Sequence, residues 1–444
     1  MVWLGLLGII VLLLVLRQSL VLLLAVATAY IHLFVAKSEI EFLIQDFWFT
    51  VDREVLLSIP LFMLAGNIMS RGSIAKRLIG FMSAFTSPFP GGLGIACVLS
   101  CAAFAAINGS SIVTMMAIGS VMYPALIARG YSQSFALGAI ASAGTLGIII
   151  PPSIPLILYG IMTERDISKL FIAGIGPGLL LTAMFCVYAV SVNFRMPRIA
   201  FDLGEAARSF FGGAFALALP FIMIGGIYGG VFSPTEAGAV SLAYALLIEF
   251  FIHADEHAKP APAGAGTLAR VRHYLATREM TLRTLKDVIL ETTRLLAILL
   301  PLLCVAGSLN TILDHSGTPK QMVQVLAGAI EDRWAMMLAI NLLLLVVGCL
   351  MDVGSAILIL APLLEPLAVA KGFDPIHFGI IMIANLEIGY LTPPVGLNLI
   401  VAMAAFKASF GTVVKSVLPF VAIMLLWLVV VVVYPPLALS LVGR

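Results

Sequence analysis

The chain has 444 residues, 61% hydrophobic and 11% charged, with a formal net charge of +2. Such a composition excludes a soluble globular domain, which needs a polar skin around its core. It also offers no strongly basic surface, so no nucleic-acid partner is expected.

Apolar runs at 3–16, 19–36, 168–192, 210–230, 335–350 and 416–442 recur from end to end. Each is near or above the span of the hydrocarbon core, about 20 residues as a helix. The runs do not alternate, which sets a membrane barrel aside. The expectation is an all-α polytopic protein in a lipid bilayer. The first run has no basic leader region and no clear cleavage site, so it reads as a retained helix. Arg17, Gln18 and Ser19 divide it from the second, predicting two helical pieces. FWFTVDREVLL, residues 47–57, is amphipathic. Asp46 and Arg53 there suit a subunit or interface contact, with Trp48 and Phe49 at headgroup depth.

AINGSSIVT, residues 106–114, opens an apolar segment with Asn108, Gly109, Ser110, Ser111 and Thr114. GTLGIIIPPSIPLILYG, residues 144–160, carries the adjacent prolines Pro151 and Pro152. Proline lacks an N–H and clashes with the preceding turn, and it pushes the residue before it to extended geometry. Carbonyls around 147–152 therefore lose their helical partners. In hydrocarbon such a break survives only beside protein, water or an ion. Bare carbonyls suit a hard cation such as Na+, and the N-terminal end of a half-helix suits a carboxylate.

Residues 253–290 are the one strongly polar stretch. Between Lys259 and Lys286 it holds six Lys or Arg against one acid, Glu279. An excess of positive charge of this kind places a loop in the cytoplasm. Its first part reads as a flexible linker and residues from about 267 as an interfacial helix.

The halves on either side of this loop resemble each other. At an offset of 242 residues Pro124 meets Pro366, Gly130 meets Gly372, Gly147 meets Gly389 and Pro151-Pro152 meets Pro393-Pro394. At an offset of 241, Pro60 and Ala65-Gly66 meet Pro301 and Ala306-Gly307. GCLMDVGSA, residues 348–356, is the second polar opening, with Asp352, Gly354 and Ser355. An internal repeat with broken apolar segments at matching positions points to a secondary transporter and to its binding site. Three acids fall in or near the apolar segments. Asp352 can bind Na+, carry a proton or pair with a base; Glu387 lies close to the second break; Glu365, before Pro366, is read as capping a helix end. The five cysteines all lie in apolar segments and are read as small apolar fillers. Cys97 and Cys101 share a helix face, yet no His or carboxylate stands near in sequence to complete a metal site.

These stretches make the chain similar to a known family. PLFMLAGNIMSRG (60–72), NGSSIVTMMAIGSVMYPALIARGY (108–131), GTLGIIIPPSIPLILYG (144–160), LFIAGIGPGLLL (170–181), GGVFSPTEAGAV (229–240) and NLEIGYLTPPVGLNLIVA (385–402) resemble the large membrane subunit of tripartite ATP-independent periplasmic (TRAP) transporters. The resemblance implies Na+-coupled uptake of a carboxylate-bearing organic anion, of C4-dicarboxylate or sialic acid type, across the bacterial inner membrane. A periplasmic substrate-binding protein would deliver the anion, and a small four-helix membrane subunit, a separate polypeptide, would pack alongside. It implies an elevator built from inverted repeats, with two re-entrant hairpins and broken helices. The chain then divides into 1–53, N-terminal scaffold helices; 54–167, a first transport-domain repeat; 168–294, scaffold helices and the basic loop; 295–408, a second repeat; and 409–444, a C-terminal helix.

By position, one Na+ site would use Asn108, Ser110 and carbonyls of Gly147, Ile150 and Pro152. A second would use Asp352, Gly354 and carbonyls of Gly389, Thr392 and Pro394. Substrate would lie near Ser111, Thr114 and Asn398, with hairpin tips at Gly66-Asn67 and Gly307-Ser308. Family members often carry Ser-Gly-Ser where this chain has Asn108-Gly109-Ser110; Asn still offers an oxygen. The nearest competing reading is a single-component Na+/dicarboxylate or citrate carrier. An intramembrane enzyme lacks any HExxH or GxSxG motif here, and a passive scaffold has no use for unpaired backbone at membrane depth.

Overall fold

The computed structural model describes residues 2–35, 41–198, 201–252, 281–317, 321, 323–325, 328 and 330–443. Among them every regular element is helical, and nine helices are long and apolar enough to cross a membrane. In chain order they begin with α1 (Val2–Val15), α2 (Leu20–Tyr30) and α3 (Glu41–Val51). Then come α4 (Ser58–Arg71), α5 (Ile74–Thr86), α6 (Gly92–Asn108), α7 (Ser111–Ala128), α8 (Gln133–Gly144), the single turn α9 (Leu146–Ile149) and α10 (Ile154–Thr163). The middle of the chain forms α11 (Ile167–Val192), α12 (Leu203–Tyr228) and α13 (Pro234–Leu247). The last part forms α14 (Leu282–His315), α15 (Arg333–Leu350), α16 (Val353–Ala370), α17 (Pro375–Gly389), α18 (Leu397–Phe406), α19 (Phe410–Val433) and the short α20 (Pro436–Leu439). The basic loop and its interfacial helix fall largely outside the described residues, which resume at Thr281.

Local chemistry sets the ends. The first four N–H groups of a helix have no partner within it, and a short polar side chain can supply one. Ser19, Ser132, Asp166, Asp332, Asp374 and Ser409 each do so from the N-cap position. Arg17, in left-handed backbone at φ 53°, and the Ser19 cap separate α1 from α2, as the interrupted run predicts. Ser233 and Glu236 make a reciprocal capping box at the start of α13.

The repeat is legible in the helix boundaries. α7 runs 111–128 and α16 runs 353–370, so both ends are displaced by 242 residues. α6 corresponds to α15, α8 with α9 to α17, and α10 to α18. Both Pro151–Pro152 and Pro393–Pro394 are cis. The break-bearing segments occupy the centre: all residues of α17 from Ile376 to Gly389 are buried, as are those of α8 from Phe135 to Gly144. Helices α12, α14 and α19 instead leave large apolar side chains such as Phe221, Ile298 and Leu426 exposed. A helix that is apolar on its outward face belongs against lipid.

Three expectations need correction. Gly66-Asn67 and Gly307-Ser308 are not hairpin tips but lie inside α4 and α14. Small residues there serve close packing, and the chain bends instead at Gly72-Ser73, where the Glu249 carboxylate receives the Ser73 and Ile74 N–H groups at 3.0 and 3.1 Å. Glu365 caps nothing: it lies within α16, 6% exposed, and accepts from Arg165 Nε at 2.9 Å. Prolines 362 and 366 are both carried inside that helix. The C-terminal run is not one helix to its end, because Pro435 and Pro436 stop α19 after Val433.

Candidate functional site

The first break begins where α6 ends. Gly109 takes left-handed backbone at φ 64°, and a Cβ there would stand 2.5 Å from the Pro152 carbonyl oxygen. Only glycine meets both demands. Ser110 is extended, and α7 starts at Ser111. Asn108, buried, braces the gap: its amide nitrogen donates to Phe104 O and to Thr114 Oγ1, both at 2.9 Å, and its oxygen accepts from Ser110 N at 2.7 Å. The oxygen expected to face a cation therefore already holds the polypeptide together across the break.

Opposite it, Pro151 and Pro152 remove the donors that Gly147 and Ile148 would use. Ser153 replaces one of them, donating its hydroxyl to Ile148 O while capping α10 through Leu156 N. The Gly147 carbonyl receives no such replacement within its helix. Gly147 lies hard against Ser110, whose carbonyl oxygen would be 2.6 Å from an added Cβ, with Thr114 Oγ1 at 3.0 Å. Ile150, extended, rests its side chain on Gly178 of α11. Asn108, Ser110, Thr114, Gly147 and Pro152 are thus brought together by two interlocking breaks.

The second break shares the design and differs in detail. Gly389 packs on Gly348, whose Cα would be 2.6 Å from an added Cβ. The Cys349 carbonyl accepts Val395 and Gly396 N–H groups at 3.3 and 3.2 Å, which ties the turn after the prolines to the end of α15. Here the Gly389 carbonyl is not bare. Thr392 N–H donates to it at 2.9 Å, and the Thr392 hydroxyl donates to Ile388 O at 2.9 Å. A hydroxyl and an N–H one turn later do for this break what Ser153 does for half of the other, so fewer oxygens stand open than the sequence implies. Asp352, exposed, is the N-cap of α16, accepting from Ser355 N at 2.9 Å and from the Ser355 hydroxyl. Gly354 lies beside it, and Tyr390 OH accepts from Val353 N at 3.0 Å.

The two halves meet at the expected substrate residues. Asn398 Nδ2 donates to Ser111 Oγ at 2.5 Å, both side chains buried, and Asn398 Oδ1 is buried without a partner among the described residues. Gly66 packs on Asn108 and so borders the first break, whereas Asn67 donates to Thr292 Oγ1 of α14 at 2.9 Å. Gly307 and Ser308 go elsewhere. Gly307 meets Thr50 of α3, and Ser308 donates to Asp46 at 2.7 Å while 2.9 Å from His32 Nε2. Gly307, with Asp46 and Thr50, lines a cavity of about 390 Å³ between α3 and α14. Arg165, the partner of Glu365, stands in the sequence between Glu164 and Asp166 where an apolar segment ends, and nothing local marks it as reaching a distant acid. The cysteines are free, as apolar fillers would be.

Residues 7–437 match the model of a family described as the DctM component of the tripartite ATP-independent periplasmic transporter. The C4-dicarboxylate TRAP transporter large permease protein DctM of Pseudomonas aeruginosa is 38% identical over 403 residues, covering 88% of this chain and 87% of that one. The protein of the same name in Rhodobacter capsulatus is 36% identical over 408 residues, with 88% and 87% covered. The ectoine TRAP transporter large permease protein TeaC of Halomonas elongata is 32% identical over 417 residues, with 93% and 92% covered. Among solved structures the Alcanivorax borkumensis YdaH transporter superposes with a TM-score of 0.61 at 14% identity, covering 90% of this chain and 88% of that one, a likeness of fold alone.

Proposed function

We propose a cargo and a driving ion for this chain, which belongs to the DctM component family of tripartite ATP-independent periplasmic transporters. It is a multi-pass permease subunit and not an enzyme, as its relatives are. The cargo is a carboxylate-bearing organic anion of the C4-dicarboxylate class, and the driving ion is Na+. The relatives at 36–38% identity are named for C4-dicarboxylates, which favours that class over the sialic acid type. One observation carries the reading: the α6–α7 break of the first half and the segment that follows the Pro393-Pro394 break of the second half meet in the buried centre of the fold through Ser111 and Asn398.

The donor set supports sodium. The first break offers hydroxyl and carbonyl oxygens at Ser110, Thr114, Gly147 and Pro152, the hard ligands that a small monovalent cation takes. Among the described residues no group of three or more His, Cys, Asp or Glu is placed to hold a metal ion instead. A carboxylate cargo resting near Ser111 and Asn398 would face the N-terminal end of α7, where aligned N–H groups favour negative charge. The second ion would lie by Thr392, Gly354 and the Asp352 cap.

Delivery by a periplasmic binding protein, a small membrane subunit alongside and an inner-membrane location complete the proposal. The isethionate relative of Oleidesulfovibrio alaskensis, named DctMQ, supports the second component, since this chain covers only 60% of its length. Movement of the two repeats as one body against the remaining helices, as an elevator, is the matching mechanism. The test is uptake of labelled succinate into proteoliposomes containing both membrane subunits and the binding protein, driven by an imposed sodium gradient. Uptake under a proton gradient alone would refute the ion, and uptake without the binding protein would select the single-component reading.

A further inference from the structure

The two half-helices that follow the breaks are repeat mates, yet they are held in opposite ways. α10 and α18 are each ten residues long, with both ends displaced by 243 residues. In α10 every residue from Pro155 to Met162 is buried, whereas in α18 only Asn398, Leu399 and Ala402 are. The mates Ile157 and Ile400 are 0% and 39% exposed. The breaks differ in the same sense: Pro151 and Pro152 are buried, Pro393 and Pro394 exposed. Asp352, exposed beside the second break, marks that opening as aqueous, because a carboxylate at membrane depth needs water or an opposite charge.

α10 is pinned along its length. Ser153 caps its start, and the Tyr159 hydroxyl donates to Pro375 O at 2.8 Å. Its last carbonyls are taken as well, Ile161 O by Arg53 at 2.9 Å and Met162 O by Asn310 at 3.2 Å. Just past its end Arg165 holds Glu365 of α16 at 2.9 Å. α18 lacks the side chains for this: Asn398 is its one strongly polar residue, and the mates of Tyr159 and Arg165 are Ala402 and Ala408. Where α10 has Ser153, α18 has Gly396 in left-handed backbone at φ 51°, its N–H held by Cys349 O at 3.2 Å as a fixed pivot. At the far end the Phe406 ring fills a notch at Gly119 of α7, where an added Cβ would stand 2.6 Å from it. The centroid of that ring lies 4.9 Å from that of Tyr123, also on α7.

We infer that α18 is a gate over the contact between Ser111 and Asn398, hinged at Gly396 and latched by Phe406, while α10 stays fixed. This rests on the reading of that contact as the cargo position. Hinges are element ends that absorb a change of backbone angle, and the lightly held element is the one that moves. Swinging α18 off α7 breaks the hydrogen bond from Asn398 to Ser111 and admits water and solute from the exposed side of the second break. A cargo carboxylate lying between the two side chains takes over their link, so the gate closes on a loaded site. The first break stays sealed behind α10, and solute passes by the second break alone.

The test uses detergent-purified full-length Ala402→Cys and Ile157→Cys, each alone and combined with Phe406→Ala. Both positions are wholly buried, one under α18 and one in α10. The readout is the rate of modification by a permanently charged methanethiosulfonate, with the wild type and its native cysteines as background. Phe406→Ala should speed modification of Ala402→Cys about tenfold or more, equivalent to about 1.4 kcal/mol in the opening equilibrium, and leave Ile157→Cys unchanged. If Phe406→Ala does not fold, Phe406→Leu is read in the same way. An unchanged rate for Ala402→Cys overturns the inference. An equal rise at Ile157→Cys also overturns it, because the whole fold has then loosened. Saturating succinate in sodium chloride should slow the Ala402→Cys reaction; a latch effect without that protection keeps the gate and refutes the cargo reading instead.

Discussion

Replacing Gly147 by alanine tests whether the close approach of the two breaks shapes the site. The added methyl carbon would stand 2.6 Å from Ser110 O and 2.8 Å from Ser110 C, both backbone atoms, and 3.0 Å from Thr114 Oγ1. Ordinary contact begins near 3.4 Å, so the α9 turn and the Ser110 backbone must part by about 0.8 Å. Overpacking of that size in a filled interior costs about 1–3 kcal/mol. Some is returned, since alanine is better than glycine within a helix by about 1 kcal/mol. Gly80→Ala is the control: Gly80 lies in α5 with open space around its Cα, so only the propensity gain applies. The two substitutions should therefore move the thermal midpoint of the purified protein in opposite directions. Gly147→Ala should also raise the sodium concentration needed for half-maximal uptake, while membrane insertion is unchanged. A Gly147→Ala protein with the midpoint and sodium dependence of wild type would refute the claim that this contact builds the break.

Ser110→Ala and Thr392→Ala should each weaken sodium-dependent uptake several-fold without loss of insertion, measured as uptake against sodium concentration; unchanged curves in both would remove these hydroxyls from the site. Asp352→Asn keeps an N-cap of equal quality, whereas Asp352→Ala should cost about 1 kcal/mol of stability. If Asp352 also faces a cation, both variants lose transport and only the second loses stability; wild-type transport in Asp352→Asn leaves it a cap. Arg165→Gln strands the Glu365 carboxylate inside α16 and should cost about 1–3 kcal/mol, less than a fully buried pair because Arg165 is 39% exposed. The double variant Arg165→Gln/Glu365→Gln should recover most of that loss in thermal unfolding, and failure to recover would mean the pair is not what Arg165 provides.

Composition and hydropathy alone determined that this is a helical membrane protein, because so apolar a chain belongs in lipid, where only helices and closed barrels satisfy the backbone, and its runs do not alternate as barrel strands do. The proline and glycine positions determined where the helices break and that the breaks occur twice, since those residues restrict the backbone whatever surrounds them. The same offset of 242 residues separates both ends of α7 from those of α16 in the folded chain. What lay beyond the sequence were the partners across space. Arg165 reaches Glu365 200 residues away, and Ser308 reaches Asp46 262 residues away. Thr392 closes a carbonyl that Pro393 would have opened, and Asn108 spends its oxygen on Ser110. Local rules say which groups lose a partner at a break. Only the packed fold decides which of them find another, because that depends on side chains the chain brings back from far away.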